Sequence, residues 1–231
     1  MSILIQRVSW NFSNLRNSRF NILSLKKNNF VFMENDKNII EKVSKLFLEY
    51  GAKAVTMDDI AKALRVSKKT LYEKYKSKEV LIEETLVYGI EKVLQKMKDL
   101  DNKIDNAVER MFARDEDIEK MSQTNNSIHL KQLMKYYPEI FNRHMFYFSE
   151  RLSEILVHNI ERGRKQGLYR EDFDEQFYAK LFFHLAMSID GSPYFKTEDL
   201  SRREYQQKTL RFYMNSITTE KGKEVMKNLP L

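Results

Sequence analysis

Glycine and proline, the residues that most often form turns, are rare in this chain. Only six Gly and three Pro occur among its 231 residues. An architecture of strands and turns needs such residues roughly every 8–12 positions, whereas Lys, Glu, Leu and Met, which are abundant here, favour helices. The sequence therefore predicts an all-α fold.

Cysteine is absent altogether, which excludes disulfide scaffolds, thiolate zinc sites and Cys nucleophiles. No apolar run approaches the roughly 18–20 residues that a membrane helix needs. We therefore predict a protein of a reducing compartment, the cytoplasm, with no membrane partner.

The net charge of +7 is distributed unevenly. Residues 1–33 hold five bases and no acid, residues 34–80 hold eleven bases and eight acids, and the remaining 151 residues sum to −1. A basic front and a nearly neutral rear predict that the first third of the chain meets a polyanion.

Residues 1–33 show no sustained period of 2 or 3.6, and we interpret them as a leader. The preferred interpretation makes them a disordered basic arm or translated upstream sequence, with Met33 as the natural start. Two alternatives remain: an arm that wraps nucleic acid, and an organellar transit peptide, because the segment contains Arg and Ser but no acid.

Helix caps follow one another at short intervals from residue 34 onward. A first amphipathic helix ends before Gly51, which suits a C′ position. Thr56 precedes a second helix over 57–64, Ser67 caps a third that runs to about residue 75, and Ser77 begins a fourth. Two short helices joined by a tight turn and framed by longer ones predict a helix-turn-helix.

The residue types inside this motif, about residues 57–76, agree with that geometry. Ala61 is small enough for the two helices to cross closely, Val66 is expected to fill the turn, and Leu71 to anchor the second helix. The stretch 62–78 holds seven bases and one acid, which predicts double-stranded DNA as a partner, with the third helix in the major groove. The alternative is a Lys-rich solvated face on an ordinary helical hairpin.

The run from Thr56 to Glu79 resembles the DNA-binding domain of TetR-family one-component transcriptional regulators. The features that carry the resemblance are Phe and Gly at the end of the first helix, Val-Ser at the turn, Thr-Leu-Tyr on the recognition helix and Lys-Ser-Lys-Glu at the start of the next helix. The resemblance covers residues 34–80 and implies an N-terminal DNA-binding domain of three helices. The rest, residues 81–231, is then a helical ligand-binding and dimerisation domain.

Two positions depart from the family pattern. Arg65 stands where the family has a turn Gly, and it costs about 1 kcal/mol if the turn requires a positive φ. Lys69 stands where the family commonly has a small residue, so the operator sequences of relatives do not transfer to this chain.

Placement on the helices predicts which side chains meet DNA. The N-terminal residues of a recognition helix reach base edges, and free N–H groups at a helix N-terminus bind phosphate. We assign Lys68, Lys69 and Thr70 to base edges, and Tyr72, Lys78 and the Thr56 cap to phosphates. The full predicted set is Thr56, Lys68, Lys69, Thr70, Tyr72, Lys74 and Lys78.

The rear of the chain reads as a succession of helices without a catalytic motif. The predicted helices cover residues 77–100, 102–122, 129–136, 174–190 and 198–216. A long helix is also predicted from Pro138 to Gly163 or Gly167, and a short one after Thr219. No HExxH pair, phosphate loop or nucleophile elbow occurs, so we expect no enzyme, cofactor or metal. His144 and His158 lie about 21 Å apart along one helix face, and we expect polar core or interface roles for them.

Aromatic and Met side chains in this rear region predict a ligand pocket, with His144 or Tyr147 as its polar group. The resemblance implies a small hydrophobic or amphipathic effector, and simple core packing is the alternative. The predicted lining residues are Phe112, Met134, Phe141, His144, Met145, Phe148, Phe177 and Leu181.

A palindromic operator read by two heads requires a two-fold dimer. The resemblance implies that the helices near 174–190 and 198–216 form its interface, and the alternative is that their apolar residues close the monomer core. The predicted interface residues are Phe182, Phe183, Leu185, Ala186, Leu210, Tyr213 and Met214.

The sequence thus predicts a TetR-type homodimeric repressor that a small effector releases from a palindromic operator. Two alternatives remain open: a nonspecific or architectural DNA-binding protein, and a small-molecule carrier with a vestigial reading head.

Overall fold

The computed structural model describes residues 34–113, 124–188 and 201–229. The chain divides into two units, residues 1–37 and residues 38–231. The described residues belong to the second unit, apart from residues 34–37 at the start of the first helix. The leader predicted over 1–33, with Met33 at its end, lies outside the described residues.

Helices account for most of the described residues, and one isolated bridge joins Tyr169 and Thr218. Their bounds are α1 (Glu34–Tyr50), α2 (Met57–Leu64), α3 (Lys68–Lys74), α4 (Lys78–Lys103), α5 (Ala107–Phe112), α6 (Thr124–Tyr136), α7 (Pro138–Lys165), α8 (Glu175–Met187), α9 (Arg202–Ile217) and α10 (Glu220–Lys227). The predicted all-α class is confirmed. None of the described helices combines the length and apolar character needed to cross a bilayer.

Helix α1 packs through residues spaced three and four apart. Ile40, Val43 and Phe47 are fully buried, as the amphipathic pattern predicts. The helix ends where the backbone of Gly51 takes a φ of +86° and its N–H donates to the carbonyl of Phe47 at 3.0 Å. The prediction that Gly51 lies just past this helix is confirmed.

A helix break separates α4 from α5, so the continuous helix predicted over 102–122 is wrong at its start. Asn106 causes the break, because its Oδ1 accepts from the N–H groups of Val108 and Glu109 at 2.9 and 3.1 Å and so begins a new helix. Arg162 of α7 donates to the carbonyls of Asp101 and Ile104 at the end of α4. Residues 114–122 of that prediction lie outside the described part.

Polar pairs join α4 to α7 along their contact. Nε2 of the buried His144 lies 2.8 Å from Glu83 Oε1, and Nδ1 of His158 lies 2.8 Å from Asp101 Oδ2. Arg162 also donates to Asp101 Oδ2 at 2.7 Å. The prediction of a polar core role is confirmed for His144, which is 2% exposed. The side chain of His158 is 61% exposed, so a core position is wrong for this residue.

The C-terminal helices close around a core at the end of α7. Tyr213 and Met214 of α9 are 1% and 0% exposed within the single chain, where they pack with Val108 and Tyr169. Their assignment to a dimer interface is therefore wrong, because the apolar stripe of α9 is used to close the monomer. The large apolar residue that α9 leaves exposed is Phe212.

Candidate nucleic-acid interface

Helix α2 begins with a complete capping box. Thr56 Oγ1 accepts from the N–H of Asp59 at 3.2 Å, and Asp59 Oδ2 accepts from the N–H of Thr56 at 2.9 Å and from its hydroxyl at 2.6 Å. These hydrogen bonds to the charged form lower the pKa of Asp59. The cap predicted at Thr56 is confirmed.

The turn between α2 and α3 is closed by backbone rather than by a side chain. Arg65 adopts the left-handed conformation, with φ 57° and ψ 41°, and its N–H donates to the carbonyl of Lys62 at 3.1 Å. The N–H of Val66 donates to the carbonyl of Ala61 at 3.0 Å, which completes a Schellman-type ending. The turn thus does require a positive φ at Arg65, the case in which this residue costs about 1 kcal/mol. The expectation that Val66 fills the turn is wrong, because this residue is 38% exposed.

Helix α3 is anchored on one side and open on the other. Ser67 Oγ accepts from the N–H of Thr70 at 3.0 Å and caps the helix. Leu71 and Tyr75 are buried. The five predicted DNA contacts that this helix carries are exposed: Lys68, Lys69, Thr70, Tyr72 and Lys74.

Three of these side chains, on Lys68, Thr70 and Lys74, already have partners within the protein, and the Lys74 ammonium lies 5.7 Å from the ring centroid of Tyr75. Lys68 Nζ lies 2.8 Å from Asp58 Oδ1 of α2, and this carboxylate raises the pKa of Lys68. Thr70 Oγ1 lies 2.8 Å from Ser67 Oγ. In contrast, Lys69 makes no ion pair or hydrogen bond with any residue that the structure describes, so its ammonium group is available to a polyanion.

Lys78 is predicted to contact a phosphate, but in the structure its ammonium group is bound to backbone carbonyls of the protein. Its Nζ donates to the carbonyls of Val55 at 2.8 Å and Lys53 at 3.1 Å, and burial lowers its pKa. The Lys53 ammonium in turn sits 4.0 Å from the ring centroid of Tyr136. The start of α4 and the end of α6 therefore both hold the loop that leads into α2.

Sequence reasoning missed Asp58 and Lys53. Asp58 reads as one of two acids in the first turn of α2, and Lys53 as one of many exposed bases. Neither has a periodic relationship with its partner along the chain, because each contact joins separate helices or a helix and a loop.

The structure contradicts parts of the predicted effector pocket. Phe177 is 62% exposed, so its assignment to a closed lining is wrong. His144 is engaged by Glu83, and the hydroxyl of Tyr147 donates to Glu91 Oε1 at 2.6 Å. Burial and this carboxylate raise the pKa of Tyr147 to about 12. Both proposed polar groups are thus already paired with acids of α4.

A small pocket lies elsewhere, where α6 meets the end of α1. It has a volume of about 120 Å³ and is lined by residues 47–51 with His129 and Gln132. Burial lowers the pKa of His129 to about 4, so this imidazole is neutral at physiological pH. None of the eight predicted lining residues belongs to this pocket.

Known proteins resemble the front of the chain in sequence. Residues 39–85 match the model of a family described as bacterial regulatory proteins, tetR family. A segment of 64 residues, 28% of this chain, is 38% identical to the uncharacterized HTH-type transcriptional regulator YhgD of Bacillus subtilis (strain 168). The match spans about a third of that relative's length, 34%.

The fold as a whole is shared with solved structures. A transcriptional regulator from Cytophaga hutchinsonii superposes with a TM-score of 0.62 at 20% identity, covering 79% of this chain and 98% of that one. Reduced NemR of E. coli gives a TM-score of 0.63 at 16% identity, covering 78% and 95%. At such identities the likeness establishes the fold, an N-terminal helix-turn-helix with a helical C-terminal region.

Proposed function

Starting from a helix-turn-helix domain that belongs to the tetR family of bacterial regulatory proteins, we propose that this protein is a homodimeric transcriptional repressor. It binds a palindromic operator and is released by a small hydrophobic or amphipathic effector. The observation that carries the proposal is the exposed surface of α3, which is held rigidly from behind by Leu71 and Tyr75 and presents Lys68, Lys69 and Tyr72 to solvent.

Base contacts in this proposal come from the first turn of α3, because a recognition helix reads with its N-terminal residues. Lys69 is the leading candidate, since its ammonium group is unpaired among the described residues. A lysine suits the O6 and N7 acceptors of guanine. Tyr72 and the N–H groups of α2 behind Thr56 would bind phosphates and fix the position of the helix on the duplex.

Dimerisation supplies the second reading head. One recognition helix reads only a few base pairs, so a two-fold dimer must place two of them about 34–36 Å apart. We assign the interface to the surface of α8 and α9 that the monomer core leaves open. The retained candidates are Phe183, Leu185 and Ala186, together with Phe182 and Leu210, which are partly buried against the monomer core. Exposure adds Phe177 and Phe212.

Effector release requires a ligand that binds the DNA-incompetent conformation more tightly, and the coupling is reciprocal. Helix α4 is the natural connection, because it runs from Lys78, beside the reading head, to Lys103 among the rear helices. The Lys78 contacts with the loop before α2 would carry any displacement of α4 into the helix-turn-helix.

Selection of bound duplexes from a random library tests the proposal. We expect enrichment of a palindrome whose half-sites lie one helical turn apart, with operator binding at least 10³-fold tighter than binding to random DNA. Placed over a promoter, the selected sequence should reduce reporter transcription when the protein is present. Binding without sequence enrichment would identify a nonspecific or architectural DNA-binding protein. Absence of DNA binding would favour the alternative of a small-molecule carrier with a vestigial reading head.

A further inference from the structure

An ion pair joins the two helices of the helix-turn-helix on the surface that carries the exposed face of α3. Asp58 lies in the first turn of α2, and Lys68 is the first residue of α3. Their charged atoms are 2.8 Å apart, and the two side chains are 54% and 59% exposed. The contact is therefore made in water, at the position from which a recognition helix reaches base edges.

This pair is poorly explained as a stabilising contact. Ion pairs between exposed side chains contribute little to folding, because water screens the attraction and two long side chains lose freedom. The helix-turn-helix is already fixed by its caps and by buried Ile60 and Leu71. What the pair does change is the charge that α3 offers to an approaching duplex.

Lys68 and Lys69 are neighbours with different freedom. Lys69 is unpaired among the described residues and can neutralise any phosphate within reach. Lys68 pairs with Asp58, which offsets part of its charge, biases its position towards α2 and leaves two of its three N–H groups as donors. A cation held in this way can still donate to base acceptors but gains little from phosphates that lie elsewhere.

We propose that Asp58 is a specificity-determining residue that restrains Lys68, so that this lysine reads base edges instead of binding phosphate indiscriminately. The inference rests on the proposed function, since it concerns how the same surface discriminates among DNA sequences. Nonspecific affinity comes almost entirely from phosphate neutralisation. Removing the restraint therefore strengthens nonspecific binding more than operator binding.

The test is Asp58→Asn, with dissociation constants measured for the selected operator and for a random duplex over a range of salt concentrations. One additional phosphate contact steepens the salt dependence for random DNA by about 0.9, which raises random-duplex affinity roughly 8-fold at 0.1 M salt. We expect a smaller gain on the operator, so that the specificity ratio falls several-fold.

Glu224→Gln is the matched control. Glu224 pairs with Lys227 at 3.0 Å on α10, with both side chains exposed, so this variant changes the net charge by the same amount in a different domain. We expect no change in the specificity ratio. A drop equal to that of Asp58→Asn would assign the effect to overall charge and overturn the inference.

Lys68→Met is the reciprocal variant, and it does not depend on the behaviour of Asp58→Asn. It should weaken operator binding and leave the salt dependence for random DNA unchanged, and in this background Asp58→Asn should no longer alter the specificity ratio. If Asp58→Asn still alters the specificity ratio in the Lys68→Met background, the inference is overturned. The same holds if the Asp58→Asn single variant has an unchanged specificity ratio, and in both cases the proposed function stands. If the wild-type protein selects no operator, the proposed function fails and the inference fails with it.

Discussion

Tyr169 occupies the space that a side chain on Gly163 would fill. A Cβ placed on Gly163 would lie 2.1 Å from Cδ2 of the Tyr169 ring. The buried tyrosine hydroxyl donates its single proton towards the carbonyl of Ala107 at 2.8 Å, and Asn159 Oδ1 lies 3.0 Å from the same hydroxyl oxygen. Through this one ring, the end of α7 is fastened to the start of α5.

Gly163→Ala should therefore destabilise the protein. The methyl group would have to displace an aromatic ring whose buried hydroxyl is hydrogen-bonded to the carbonyl of Ala107, and such overpacking typically costs about 1–3 kcal/mol. Urea unfolding measures the change. Gly89→Ala is the control: nothing lies within 4 Å of its Cβ position, so we expect a gain of up to about 1 kcal/mol from helix propensity. Similar effects at both positions would contradict the packing argument.

Arg65→Gly should stabilise the helix-turn-helix. Arg65 holds a left-handed conformation that costs a residue with a Cβ about 1 kcal/mol, and the greater freedom of Gly in the unfolded chain cancels part of the gain. The midpoint of thermal unfolding should rise. Arg65→Ala keeps the Cβ and should leave the midpoint nearly unchanged, so a rise in both variants would point to loss of the charge instead.

Acid should weaken the capping box of α2. The pKa of Asp59 is lowered in the folded state by hydrogen bonds from Thr56, so its contribution to stability is fully present above the unfolded pKa of about 3.9. It is lost as the pH falls through the lower folded value. Unfolding free energies measured from about pH 6 to pH 2 should fall more steeply for the wild type than for Asp59→Asn. Parallel curves would exclude this role.

Lys78→Met should lower stability even without DNA. The substitution keeps the aliphatic stem and removes two hydrogen bonds, to the carbonyls of Lys53 and Val55, at an expected cost of about 1–2 kcal/mol. Lys76→Met, two positions earlier and exposed, serves as the control. The same variant tests the phosphate contact predicted from the sequence. If Lys78 makes that contact, the slope of log affinity against log salt concentration becomes shallower by about 0.9, the value of one phosphate contact.

Lys69→Ala should change which operator is preferred. We expect the loss of a direct base contact to cost about 1–3 kcal/mol at one position of each half-site and to relax selectivity there. Repeating the library selection with the variant detects this. A uniform loss of affinity across all sequences would assign Lys69 to phosphate.

Local signals in the sequence predicted the front of the molecule well. Thr56, Ser67 and Gly51 act on backbone groups within four residues of themselves, so their effects can be read without knowledge of the fold. Whether Arg65 takes a left-handed conformation was left as a condition by the sequence, and the structure shows that it does. Val66 was misjudged because whether a turn is filled by a side chain or closed by N–H groups depends on the packing behind it.

The apolar pattern in the rear of the chain did not decide which apolar residues lie in the monomer core. The spacing of Tyr213 and Met214 shows that one face of α9 is covered, and the same pattern results whether that cover is the protein's own core or a second subunit. The structure assigns both residues to the core. Phe177, likewise apolar in sequence, proves exposed.

The sequence by itself determined that this chain is helical, where its caps lie and that its basic helix-turn-helix resembles that of the tetR family, because these properties depend on residues close together along the chain. Only the tertiary structure decided that Lys68 is held by Asp58, that Lys78 is tied to the loop before α2 and that Tyr169 fills the space at Gly163. Each of these contacts joins residues whose distance in space has no counterpart in their spacing along the chain.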